Sequence, residues 1–328
     1  MKGLVGKRAL WVAAAMLMAA LLYWGRHDLG KIATLSPLPL VLCFVCTAGI
    51  AISSALKWKV SIGSMGERRA THLGSLIHYF MIGRVLGLVV PMDVGDFAAR
   101  TASLRVDHAI PIGRASYSVY LDRAFDVAVA GILLVPSVLF IVGTVGVGVG
   151  LTIYCLAFLA GLLCFGFLGR RTTDFLLALF HLLFKAICKI PGLRNKVDSQ
   201  AERALLTATA SKSVARTLYL LSGLKFLFTA TRFASIALAM RLAVGAFDML
   251  LFAPGAQFAA VFSFTPGGMG IVDWSWSGLL YKIGVDRHDI VPYLVSLRLA
   301  TWISVLVLAG LSRLLYRKPS QEGTQAGS

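Results

Sequence analysis

Residues 147–169 read VGVGLTIYCLAFLAGLLCFGFLG, an apolar run without one charged side chain. As a helix rising 1.5 Å per residue, it is long enough to cross a hydrocarbon core of about 30 Å. A second long apolar run, residues 115–143, interrupted by Asp122, Arg123 and Asp126, ends just before it, and only the uncharged turn 143–148 separates the two. So short a connection predicts an antiparallel hairpin of spanning helices.

Composition extends this reading to the whole chain. Of 328 residues, 58% are hydrophobic and 14% charged, and the mean hydropathy is +0.79. Soluble domains are about 45–50% apolar and about 25% charged, so the fold class is an all-α polytopic membrane protein. Lys and Arg number 32 against 15 Asp and Glu, a net charge of +17. Without a long polar stretch to form a nucleic-acid domain, that excess reads as a positive-inside signature and an attraction for anionic headgroups. Cys43-x-x-Cys46 has redox or metal spacing, but it lies within an apolar run with no His beside it. No metal site, cofactor site or catalytic constellation is expected.

Working outward, six full spans are expected: about 9–24, 39–56, 115–143, 147–169, 214–244 and 290–311. The first follows Lys2, Lys7 and Arg8 and reads as an uncleaved anchor. The second ends at Lys57, Trp58 and Lys59, an expected interfacial anchor. Residues 170–216 form a basic linker carrying Arg170, Arg171, Lys185 and Lys189, and its apolar piece 174–190 is expected to lie in the headgroup plane. Two regions, 72–108 and 247–283, are broken by Pro and Gly and read as re-entrant hairpins. The expectation is one integral membrane domain, 1–318, with halves at about 39–143 and 214–311 and a polar tail at 319–328. Placing the basic segments 57–69, 170–216 and 313–318 in the cytoplasm puts both termini there too.

The two broken regions resemble each other. Pro91-x-x-x-Gly95 in the first matches Pro266-x-x-x-Gly270 in the second, and an arginine follows each proline by 32 residues, at Arg123 and Arg298. Asp96 and Asp273 lie near the breaks. Three full spans separate the regions, and an odd number inverts the second copy, so an inverted repeat is expected. Interrupted backbone in lipid is tolerated only where it is buried in protein or lines a wet cavity. Pro91, Gly95, Pro266, Gly267, Gly268 and Gly270 are therefore candidate gates, with kinks that only relieve packing as the open alternative.

An arginine about eight residues into a span costs about 2.5–3.5 kcal/mol or more unless paired. Arg123 has Asp122 beside it and Asp126 three residues on, so these acids either orient its guanidinium toward a lipid phosphate or lock two helices together. Arg298 has no acid within four residues and needs a partner from elsewhere in the fold or from a ligand. Lys225 and Arg232 are two turns apart and share a helix face.

Read together, Pro91-x-x-x-Gly95-Asp96-x-x-x-Arg100, Leu121-Asp122-Arg123-x-x-Asp126, Thr265-Pro-Gly-Gly-Met-Gly270-x-x-Asp273 and Leu297-Arg298 resemble the lysylphosphatidylglycerol synthase transmembrane-region family. That family's patterns often carry Glu where Asp stands at 96, 122 and 273, the last being the clearest departure. The resemblance implies a flippase-like membrane domain. No soluble aminoacyltransferase domain is expected, since the chain ends about ten residues after Lys318; lysyl transfer is set aside. Stand-alone members are associated with glycolipid, polyprenyl-lipid or hopanoid pathways.

The expected function is a lipid flippase of the bacterial inner membrane, moving an anionic or modified (glyco)phospholipid or a polyprenyl-type lipid. Arg100, Arg123, Lys225, Arg232 and Arg298 would bind the headgroup, oriented by Asp96, Asp122, Asp126 and Asp273. The expected partner is a lipid with an anionic headgroup. The alternative is a non-transporting membrane partner that scaffolds a lipid-modifying enzyme or glycosyltransferase.

Overall fold

The computed structural model describes residues 35–66, 72–188, 212–261, 265 and 267–316, with four isolated positions before residue 35. Among the described residues the secondary structure is helical throughout. The helices are α1 (Pro37–Gly63), α2 (Leu73–Val89), α3 (Met92–His108), α4 (Ile112–Val142), α5 (Val147–Cys188), α6 (Lys212–Ala239), α7 (Ala246–Val261), α8 (Ile271–Lys282) and α9 (Arg287–Leu315).

Five segments are long and apolar enough to span: α1, α4, α6, α9 and the Val147–Gly169 part of α5. These correspond to five of the six expected spans; the expected span at 9–24 falls almost wholly outside the described residues. The uncharged turn behaves as its glycines require. Gly143 takes φ +83° and donates to Phe140 O, Thr144 N–H donates to Leu139 O, and α5 returns against α4 with Phe125 packed on Phe165.

Two expectations are corrected. Lys57 and Trp58 are not an interfacial anchor: α1 runs on to Gly63, and both side chains are completely buried while Lys59 is exposed. Residues 174–188 are not a separate segment in the headgroup plane either. Nothing breaks the helix at Gly169, and α5 continues to Cys188, roughly 28 Å farther at 1.5 Å per residue. The rest of the expected basic linker, 189–211, lies outside the described residues.

Each broken region forms a pair of short helices. Between α2 and α3 the chain turns through Val90 and Pro91, both extended, and Pro91 starts α3 as its N-cap. The two helices pack antiparallel and closely: a Cβ on Gly95 would stand 2.8 Å from Gly87 N, and one on Gly83 would stand 2.8 Å from Asp96 Oδ1. In the second region Gly267, Gly268 and Gly270 take φ of +58°, +68° and +87°, conformations that side chains with a Cβ resist. The turns of the two hairpins touch, with Gly267 N–H donating to Gly87 O at 3.0 Å.

The packing pattern is unchanged when α1–α4 are exchanged for α6–α9. α2 packs on α9 as α7 packs on α4; α1 packs on α9 as α6 packs on α4; and α1 packs most extensively on α6 itself. α1 and α6 run antiparallel, since Ser36 N–H donates to Ala239 O while Gly49 sits against the Phe228 ring farther along. This matching of contacts, with α1 and α6 antiparallel, is consistent with the expected inverted repeat of two four-helix units. α5 connects them and has no counterpart.

Candidate functional site

Eight ionisable side chains join α1, α3, α4 and α6 in one largely buried network. Arg100 Nη1 donates to Asp122 Oδ2 at 2.7 Å and to Asp96 Oδ2 at 3.3 Å, and its guanidinium lies over the Trp58 ring at 4.3 Å. Lys57 Nζ is 2.9 Å from Asp122 Oδ1 and also donates to Asp122 O and to Asp126. Lys225 Nζ reaches the other oxygen of Asp126 at 2.5 Å. Arg123 Nη2 donates to Asp96 Oδ2 at 2.5 Å and lies 3.2 Å from Asp93 Oδ1.

This network revises the expected roles. Asp122 and Asp126 do not hold Arg123. On α4 they face α1, α3 and α6, while Arg123, one residue (about 100°) around the helix from Asp122, faces the α3 break and takes Asp96 and Asp93. Arg100, expected among the headgroup ligands, is fully buried and does not reach the cavity described below. Lys57 was read as an anchor, and only the tertiary structure reveals that it faces two carboxylates.

The second half contains a matching pair. Arg298 binds Asp273 through Nε at 2.7 Å and Nη2 at 2.6 Å, and the same guanidinium donates to Gly267 O and Gly268 O at 3.2 Å each. Asp273 Oδ2 also accepts from Gly270 N–H at 2.8 Å, fixing the start of α8. Both arginines spaced 32 residues after a break proline therefore hold the acid of their own break. Arg298 additionally clamps the loop that touches the other hairpin.

Between the two halves lies a cavity of about 450 Å³, within the usual range of small-molecule sites of about 300–1,000 Å³. All the described helices except α5 contribute to it. Five cations line it: Arg84, Arg123, Lys225, Arg232 and Arg298. Three acids line it: Asp93, Asp126 and Asp273. Arg123, Lys225 and Arg298 are neutralised by the pairs above. The guanidinium groups of Arg84 and Arg232 make no hydrogen bond or ion pair among the described residues; each lies over an aromatic ring, Phe80 at 5.4 Å and Phe233 at 5.5 Å.

Residues lining the same cavity carry further buried polar atoms without partners. Buried polar atoms lacking a hydrogen bond include Arg84 Nη1, Ser222 Oγ, Arg232 Nε, Gln257 Nε2 and Trp276 Nε1, all on residues that line it. Buried donors left unmade cost about 1–3 kcal/mol each, so a set of them around one cavity marks a place for an acceptor-rich ligand. Arg84 escaped the sequence reading because hydropathy records it only as an interruption of an apolar run.

The chain matches the model of the lysylphosphatidylglycerol synthase TM region over residues 9–309. It belongs to this family. The match takes in both hairpins, the buried network and the cavity. The shorter acid at 273, where the family pattern often has Glu, still reaches both Gly270 N–H and Arg298. No individual curated protein matches the chain. Membership of the lysylphosphatidylglycerol synthase TM region family, with five helices suited to spanning, makes this a multi-pass membrane protein consistent with a lipid-related process.

Proposed function

We propose that this protein is a lipid translocator of the bacterial inner membrane, with both termini cytoplasmic, that passes an anionic headgroup between its two inverted halves while the acyl chains stay in lipid. The observation that carries this reading is the cation-rich cavity at the interface of the halves, where the guanidinium groups of Arg84 and Arg232 enter no direct ion pair among the described residues. Charged groups at membrane depth are costly unless they serve a pathway or a ligand. The hairpin turns that meet at Gly87 and Gly267 would be the moving parts. Arg123 and Arg298 would hold those parts together, rather than grip the lipid as first expected. No chemistry on the lipid is part of the proposal.

The test is reconstitution of the full chain alone in liposomes holding a fluorescently tagged anionic phospholipid, with a membrane-impermeant reductant outside. Inner-leaflet label should become quenchable at least tenfold faster than in protein-free vesicles. A rate equal to protein-free vesicles, together with a stoichiometric lipid-modifying enzyme co-purifying from cells, would favour a scaffold instead. The part of α5 beyond Gly169, with Arg171 exposed, would then be the docking element.

A further inference from the structure

We infer that the headgroup taken by this cavity is a phosphomonoester carrying close to two negative charges, and that a headgroup bearing an ammonium is excluded. The inference rests on the translocator reading and narrows its substrate. The five lining cations exceed the three lining acids by two, and that surplus is Arg84 and Arg232. The wall behind is balanced, since Lys57 and Arg100 face Asp96 and Asp122. At about 450 Å³ the cavity has room for one headgroup rather than two complete lipids. One ligand therefore has to supply both compensating charges.

Donor chemistry points the same way. The unpartnered buried atoms of the lining residues are two guanidinium nitrogens, an indole nitrogen, an amide nitrogen and a hydroxyl. Four are N–H donors and the hydroxyl can donate, so what they lack is acceptors. A phosphomonoester presents three terminal oxygens and about −1.5 to −2 charge near neutral pH; a phosphodiester has two non-bridging oxygens and one charge. An aminoacyl or ethanolamine headgroup adds N–H donors and positive charge to a cavity already rich in both. Asp93, Asp126 and Asp273, which could receive an ammonium, are held by Arg123, Lys225 and Arg298.

The experiment is native mass spectrometry of the full chain in detergent at pH 8.5. It is titrated separately with phosphatidic acid, phosphatidylglycerol and lysyl-phosphatidylglycerol of one acyl composition, and with inorganic phosphate. Phosphatidic acid should bind at least tenfold more tightly than phosphatidylglycerol, and lysyl-phosphatidylglycerol more weakly than either. Arg84→Gln and Arg232→Gln should each reduce the preference, and together remove it. Equal affinity for phosphatidic acid and phosphatidylglycerol, or tighter binding of the lysyl lipid, overturns the inference while leaving translocation standing. Saturable binding of inorganic phosphate with no binding of any lipid overturns both. Because the preference is read on the wild-type chain, the conclusion does not depend on either variant folding.

Discussion

Asp122→Asn probes the buried network most sharply. Asp122 is completely buried and faces two cations, with Arg100 at 2.7 Å and Lys57 at 2.9 Å. Removing one partner of a buried ion pair costs about 3–5 kcal/mol, because the remaining charge is left uncompensated in a low-dielectric site. Here some compensation persists: Arg100 keeps Asp96 and the Trp58 ring, and Lys57 keeps Asp126. The expected loss is therefore at the lower end, about 3 kcal/mol. Lys57→Met in the Asp122→Asn background removes an ammonium left sharing Asp126 with Lys225 and should restore at least half of that loss. The assay is equilibrium unfolding of the purified chain against SDS mole fraction in micelles, followed by tryptophan fluorescence and circular dichroism. A single-variant cost below about 1 kcal/mol, or strict additivity of the two substitutions, would refute the argument that these charges act as one unit.

Three further outcomes follow from particular contacts. Arg298→Lys loses the bidentate hold on Asp273 and at least one of the two carbonyl contacts. Amide exchange at 267–270 should rise at least tenfold, with exchange in α3 unchanged. Gly95→Ala places a Cβ 2.8 Å from Gly87 N and should cost about 1–3 kcal/mol by overpacking the first hairpin. Gly267→Ala meets nothing closer than 3.7 Å but has to hold φ +58°, so about 1–2 kcal/mol of backbone strain is expected. Both glycine substitutions are checked by the same SDS titration.

Much of the fold was legible in the sequence because the spans are apolar and the breaks are written in Pro and Gly. The 32-residue spacing from Pro91 to Arg123 and from Pro266 to Arg298 identified two arginines that each bind the acid of their own break. The partners in the first half were misread for a geometric reason. Asp126 lies three residues from Arg123 on one helix, yet the short Asp side chain turns to α1 and α6, and Arg123 reaches across to α3. Lys57 was hidden because hydropathy falls before α1 ends, which makes a buried lysine look like a surface one. Arg84 could not be singled out in sequence, since its significance is that the nearby acids Asp93 and Asp96 are taken by Arg123 and Arg100, a property of the assembled cavity.

Lipid movement by this protein depends, on the proposed mechanism, on the two arginines without ion-pair partners among the described residues, Arg84 and Arg232. The decisive measurement is the initial rate at which tagged phosphatidic acid crosses the bilayer in proteoliposomes, for wild type, for Arg84→Gln combined with Arg232→Gln, and for Arg241→Gln, an exposed arginine outside the cavity. Wild type and Arg241→Gln should move it at least tenfold faster than protein-free vesicles, and the double variant, folded by circular dichroism, should fall to the protein-free rate. A folded double variant that moves lipid as fast as wild type would contradict the account.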